Sequence, residues 1–335
     1  MPDRPPSKVL ITGGHEVGGV ASVVECLSHG FDALGIPSEI TSPSRILSRW
    51  HDLRDANVLK ILSTTAVFAA PLARRAICVA HGIARVDLHQ SSNINGWLKL
   101  AGFVTSFKVA NASSGARLIS VSHYTAVTLR AVFNVQSDGV VHNPLRSLYW
   151  EPDSEIARER CYITYVGRLV RAKNLHRLIP AIRDLLDETP GLRACIIGTG
   201  AQRAELEAMI AGDARFEFKG SPDDATVRDW LRRTRVFVSG NEVEGFGITY
   251  LEALSQGCAV AMPASGGGIE IALDQVGKRV HLLPLSWDRA EVTAVLRRAL
   301  DSSGAPPMSL ANYSSEAVAR AYLAADSRFF SGGAQ

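Results

Sequence analysis

The sequence predicts an α/β protein built from two doubly wound domains, and three observations carry that reading. The chain has 335 residues, more than one hydrophobic core usually serves, so two units of about 150 to 180 residues each are expected. In both halves, short apolar runs end at glycine and are followed by stretches with helical apolar spacing, as alternating strands and helices require. Between the halves, Asn143-Pro144 and Glu151-Pro152 interrupt that periodicity and mark a junction. The domains are therefore placed at 1–150 and 151–312, with a terminal helical segment over 313–335.

The first half opens on a strand, Lys8 to Thr12, then a loop with glycines at 13, 14, 18 and 19, then an apolar-periodic helix from Val20 to Leu34. A glycine-rich strand-to-helix loop can hold a dinucleotide, and Glu39 lies about where a ribose-binding acid would stand. The glycine spacing does not match G-x-G-x-x-G, however. None of the seven tyrosines has a lysine four positions later, which removes a short-chain dehydrogenase site. Ala76 to Ala80 reads as a buried strand ending at His81, where a lone histidine is most often a hydrogen-bonded structural residue. Ser122 suits the N-cap of a helix that reaches Phe133. The stretch from Ile94 to Val109, apolar with Trp97 and two lysines, fits a core helix or an interfacial helix against lipid; its two glycines favour the core.

The second half is denser in chemistry. Tyr162 to Val166 is a strand candidate ending in Gly167-Arg168, and Leu175, Leu178, Ile179, Ile182, Leu185 and Leu186 then mark one face of a helix. Arg168 and Lys173 fall between them, at a strand's carboxyl end, where open α/β sheets bind ligands. An Arg fork suits bidentate phosphate contact and Lys a point-charge contact. Strands ending at Gly198-Thr199-Gly200 and at Phe218-Lys219-Gly220 follow, and Val236 to Ser239 makes another. This last strand leads into Glu244-Gly245-Phe246-Gly247-Ile248, with Glu252 eight positions after Glu244. The glycines let the backbone pass close to a ligand, and the free N–H groups of a helix start face an anion. A carboxylate two turns along can meet hydroxyls. Phosphate beside polyol describes a sugar nucleotide.

The run from Glu244 to Glu252 resembles the Glu-x7-Glu signature of the retaining glycosyltransferases of family 4. Those enzymes have the GT-B architecture, two Rossmann-like domains with the active site in the cleft between them. Gly167-Arg168 followed by Lys173-Asn174 looks like the same family's diphosphate clamp, in the right order, and Ala264 to Glu270 matches its Gly-Gly-x-x-Glu turn. The resemblance implies roles. Arg168 and Lys173 would neutralise the leaving diphosphate, helped by backbone N–H groups at Phe246, Gly247 and Ile248. Glu252 would bind ribose hydroxyls, while Glu244 and His81 would orient the sugar. Gly198, Gly200, Phe218 and Lys219 would hold the base, and Gly18 and Gly19 would fold over the donor phosphates beside the acceptor pocket. The terminal helix would cross back to the first domain.

The implied activity is transfer of a hexose or N-acetylhexosamine from a UDP- or GDP-sugar to a hydroxyl on a glycan, lipid-linked or small-molecule acceptor. Surface polysaccharide, glycolipid and glycosylated natural products are the implied settings. A sugar-nucleotide epimerase of the same fold and a non-catalytic nucleotide-sugar binder are the alternatives. A glycoside hydrolase fits less well. On one continuous helix, Glu244 and Glu252 would stand about 12 Å apart along the axis, a poor start for two cooperating carboxyls.

Composition adds limits. Hydrophobic residues make up 46% and charged residues 21% of the chain, as in soluble globular proteins. Residues 1–150 carry a net charge of +5 and the remainder −2, a contrast that suits an anionic acceptor or a phospholipid surface but is also within ordinary scatter, and no nucleic-acid partner is expected. The five cysteines form no Cys-x-x-Cys, and no Asp-x-Asp occurs, so no metal or cofactor is expected beyond the sugar nucleotide itself. The start of the chain has no signal-peptide pattern and no apolar stretch is long enough to span a bilayer. The expected setting is cytoplasmic, with a candidate peripheral contact at the inner membrane face.

Overall fold

The structure, a computed structural model, describes residues 5–13, 19–82, 94–150, 161–273, 277–302 and 310–331. It divides into two compact units, Met1–Ser147 with Ala311–Gln335, and Leu148–Leu310.

In the first unit the described elements are β1 (Lys8–Thr12), α1 (Gly19–Ala33), β2 (Ser38–Thr41), α2 (Trp50–Arg54), β3 (Val58–Ser63), β4 (Ala76–Ala80), α3 (Ile94–Asn111), β5 (Ala116–Ser120), α4 (His123–Phe133) and β6 (Gly139–Val140). Two 3-10 segments, Pro43–Arg49 and Thr64–Leu72, flank α2 and β3. The six strands run parallel in the order β2-β1-β3-β4-β5-β6. Helices cover both faces, so the inner strands are mostly apolar rather than alternating, with Lys60 of β3 the chief exception. Every residue of β3 and β4 is buried.

Helix α3 turns Phe107 and Ala110 into this core with Phe103 packed beside them, while Val109 is exposed. Ser122 caps α4 as its sequence position suggests, with Oγ accepting from the Thr125 N–H at 3.0 Å. Glu39 on β2 is bound by Arg49 and by Lys8, which together hold its carboxyl down at about 2. It is tied up as an ion-pair partner and does not stand free as a ribose acceptor, which removes the dinucleotide reading of this edge. Among the described residues, no helix is long and apolar enough to cross a membrane.

The second unit contains β7 (Tyr162–Val166), α5 (Leu175–Glu188), β8 (Arg193–Ile197), α6 (Arg203–Met209), β9 (Phe216–Phe218), α7 (Asp224–Arg232), β10 (Thr234–Val238), α8 (Ile248–Ser255), β11 (Ala259–Pro263), α9 (Gly268–Ala272), β12 (Val280–Leu283) and α10 (Arg289–Asp301). Its strands are also all parallel, ordered β12-β11-β10-β7-β8-β9. All six apolar positions read from the sequence of α5 are buried against this sheet. The strand order reverses between β7 and β10, and such a reversal opens a crevice at the carboxyl edge where ligands bind.

A last helix, α11 (Ser315–Ser331), follows the second unit in sequence but packs within the first. Gly30 of α1 lies so close to the Ser315 carbonyl that no side chain fits there. Asp326 is buried and accepts from Arg75 Nε at 2.9 Å.

One buried cation in the first unit is unusual. Lys60 on β3 is fully buried, and its Nζ donates to the carbonyls of Asp55 at 2.6 Å and Val58 at 2.8 Å. Burial lowers its pKa from 10.5 to about 8. The folded value lies below the unfolded one, so the charged form costs stability below pH 8, and that cost fades as pH rises towards 10.5. Urea unfolding of the wild type should therefore gain about 3 kcal/mol over this window relative to Lys60→Met, which lacks the titrating group. Parallel pH profiles for the two proteins would refute the assignment.

Candidate functional site

The crevice between β7 and β10 is bordered by two loops. The first, residues 167–174, leaves β7 and includes a 3-10 turn, Arg171–Lys173. Asn174 closes that turn in the left-handed conformation, φ 52°, which asparagine tolerates better than most residues. The second, residues 239–247, leaves β10 and ends at Gly247, whose φ of +89° is the left-handed conformation glycine adopts without strain. Gly247, the N-cap of the helix that follows, has no side chain with which to cap it.

These loops meet through charge. Lys173 Nζ lies 3.2 Å from Glu244 Oε2, and Asn241 Nδ2 donates to the same oxygen at 2.6 Å. Both partners of the ion pair are only partly exposed, at 19% and 26%. Burial alone would raise the Glu244 pKa. The Lys173 charge, hydrogen bonds from Asn241 and Lys173, and the Gly245 N–H outweigh it, and the net shift is downward. Beneath them Tyr250 is buried, and its hydroxyl donates to Ser239 Oγ at 3.0 Å. The Tyr165 hydroxyl donates to the Arg168 carbonyl at 2.8 Å. Arg168 itself is exposed, and its guanidinium has no carboxylate partner among the described residues.

The structure thus brings Arg168, Lys173, Glu244, Gly247 and Ile248 to one sheet edge. Glu244 stands on the loop, not on the helix, because α8 begins only at Ile248. The continuous-helix separation weighed against a hydrolase therefore does not apply. Glu252 lies on α8 and is buried at 2% exposure, as is Phe246 on the loop.

The remaining second-unit positions separate by role. Gly198 and Gly200 press against the main chain of Gly167 and Leu169, too tightly for any side chain. Leu169 N–H donates to the Thr199 carbonyl at 2.8 Å, so these glycines first serve to seat the β7 loop on the β8 loop. Phe218 lies beneath Arg203, whose guanidinium carbon is 4.6 Å from the ring centroid. Lys219 pairs with Glu217 at 2.6 Å and sits over the Trp230 ring, while its own N–H donates to the Ile196 carbonyl. Its N–H is therefore already engaged.

In the first unit, His81 follows β4 and is partly buried, with Nδ1 inaccessible and unpartnered among the described residues. Burial lowers its pKa to about 4, so it is neutral near pH 7. Gly19 opens α1, whereas Gly18 lies outside the described residues. Among the described residues, no group of three or more His, Cys, Asp or Glu is arranged to hold a metal ion.

A doubly wound unit with a cation and a carboxylate at its switch point, beside a helix start, places these groups where open α/β sheets bind ligands. Comparison with known proteins narrows this further. Residues 150–303 match the family described as Glycosyl transferases group 1. Over 143 residues the chain is 29% identical to the 2-deoxystreptamine glucosyltransferase of Streptomyces kanamyceticus, covering 42% of this chain and 36% of that one. The chain spans about a third of the length of the first curated relatives it matches.

Among solved structures, WaaG, a glycosyltransferase involved in lipopolysaccharide biosynthesis, has a TM-score of 0.68 at 12% identity, covering 97% of this chain and 100% of that one. Anabaena HepE, in complex with UDP and glucose, has a TM-score of 0.64 at 15% identity, covering 96% and 97%. The fold is GT-B, and the chain resembles the GT-B glycosyltransferases.

The charge balance at the crevice can be measured directly. Lys173→Met should raise the Glu244 pKa, because burial then acts against a weaker opposition. Carboxyl-carbon NMR titration with and without the substitution checks this. An unshifted Glu244 would mean that the pair is not formed in solution.

Proposed function

We propose that this protein is a retaining glycosyltransferase of family 4 that moves a hexose or N-acetylhexosamine from a UDP- or GDP-sugar to a hydroxyl acceptor. The observation that carries the proposal is the Lys173–Glu244 pair at 3.2 Å on the switch-point loops, next to the start of α8. The binding of UDP by Anabaena HepE, which shares the fold, supports the donor class.

In this reading the departing diphosphate meets Arg168, Lys173 and the backbone N–H groups of Gly247 and Ile248, which neutralise charge as the glycosidic bond breaks. Side chains and a helix end supply that charge, so no divalent metal is required. Glu244 and neutral His81 orient the sugar, and Glu252 takes the ribose hydroxyls. The acceptor is a glycan, a lipid-linked intermediate or a small molecule, and the reaction takes place in the cytoplasm or at the inner membrane face.

Arg168→Ala and Lys173→Ala should each weaken UDP or GDP binding by roughly 10- to 150-fold, the worth of a charge-assisted contact. Calorimetry in the presence of EDTA reads this together with the metal independence. Wild-type affinity in both variants overturns the clamp, and binding that appears only after magnesium or manganese is restored overturns the metal-free mechanism.

The product should keep the donor's anomeric configuration. The clamp gathers on the leaving-group face, where the departing diphosphate can take the acceptor's proton, and nothing in the motif supplies a base on the opposite face. The proton NMR coupling constant of the first product formed decides between the two outcomes, since an inverted anomer removes both the mechanism and the family assignment.

A further inference from the structure

Glu242, two residues before Glu244, is the meeting point of several loops. Its Oε1 accepts from Asn174 Nδ2 at 3.1 Å and from the Trp287 indole Nε1 at 2.7 Å. Asn174 Nδ2 also donates to the Gly240 carbonyl at 3.0 Å. The Glu242 carbonyl accepts from Ser265 Oγ at 2.8 Å. One residue therefore ties together the carboxyl-edge loops of β7, β10, β11 and β12.

Trp287 is held at some cost. It is a bulky residue at φ 57°, a left-handed conformation that a side chain of its size rarely adopts. Its ring packs against the sheet core, and the Arg177 guanidinium carbon stands 5.7 Å from its centroid. Strain of this kind persists only where the surroundings hold it, and here the indole N–H bond to Glu242 is one of the restraints.

The register of the contacts gives the arrangement its meaning. Lys173 reaches Glu244, and the next residue, Asn174, reaches Glu242. The two contacts are successive rungs between the same pair of loops. Fixing the Asn174 rung fixes the backbone from which the Lys173 ammonium is presented.

We infer that Glu242 and Trp287 are positioning residues that set the place of the Lys173 ammonium, and so the affinity for a nucleoside diphosphate, without touching that ligand themselves. The inference rests on the proposed donor site. It is distinct from the clamp, because neither residue belongs to the motifs that resemble the family.

The chemistry of Glu242 supplies a sharp test. Glutamine keeps an acceptor oxygen for both Asn174 and Trp287, whereas alanine removes it. Phenylalanine at 287 keeps an aromatic ring and removes the N–H donor together with part of the ring's packing area. Calorimetry with UDP and GDP on the full chain should show Glu242→Ala and Trp287→Phe weakened by about tenfold. Glu242→Gln should stay within about twofold of wild type. Lys173→Ala serves as the control for the donor site, and thermal unfolding midpoints confirm that the variants are folded.

Wild-type affinity in folded Glu242→Ala and Trp287→Phe, with Lys173→Ala still impaired, overturns the inference and leaves the proposed function standing. Loss in Glu242→Gln equal to that in Glu242→Ala also overturns it, since Glu242 would then act through its charge. A wild-type protein that binds neither nucleotide overturns both readings together.

Discussion

The crevice depends on one ion pair between segments distant in sequence, Lys173 with Glu244. Two like-facing parallel strands, β7 and β10, lie side by side only because the sheet order reverses there. Their carboxyl ends then project loops of opposite charge into one small volume. A carboxylate in partial burial would tend to take up a proton. The adjacent ammonium and two amide donors keep Glu244 ionised instead. The pair is therefore both a product of the topology and a constraint upon it, because removing either partner leaves the other charge poorly solvated.

Around this pair the loops are held mostly by main chain and short polar side chains. Gly198 and Gly200 seat the β7 loop on its neighbour, and Asn174 ties it across to Gly240. Tyr250 with Ser239 supports the β10 loop from below. Such a frame places charged groups without help from a ligand, which is what electrostatic stabilisation of a developing charge requires. The other sheet shows the contrast. Its Glu39 is fully engaged by Arg49 and Lys8, so that edge strand ends in a structural ion pair and not in an open acceptor.

Local patterns in the chain carried much of the fold. The apolar face of α5 and the N-cap of α4 appear where spacing and residue type place them, since both depend on neighbours within a few residues. Strand β3 has no unbroken apolar run to announce it, because Lys60 interrupts it and is accommodated by the carbonyls of Asp55 and Val58. The sequence places Glu244 on a turn ahead of the helix, and the structure fixes where that helix begins. The sequence spacing to Glu252 is compatible with a helix, and only the left-handed Gly247 shows that the helix starts later.

The sequence by itself determined the alternating α/β class, the two-unit division and the charged residues that flank the glycines. These are properties of periodicity and of residue chemistry, which neighbouring positions express without reference to distant ones. Only the tertiary structure decided which charges meet. Glu242 and Trp287 are joined because β10, β11 and β12 run parallel in adjacent places, a pairing that no local pattern encodes. The packing roles of Gly198 and Gly200 likewise follow from where Gly167 and Leu169 come to lie. Parallel sheets bring residues far apart in the chain to one edge through long crossovers, so the contacts made there are set by strand order, which only the folded chain displays.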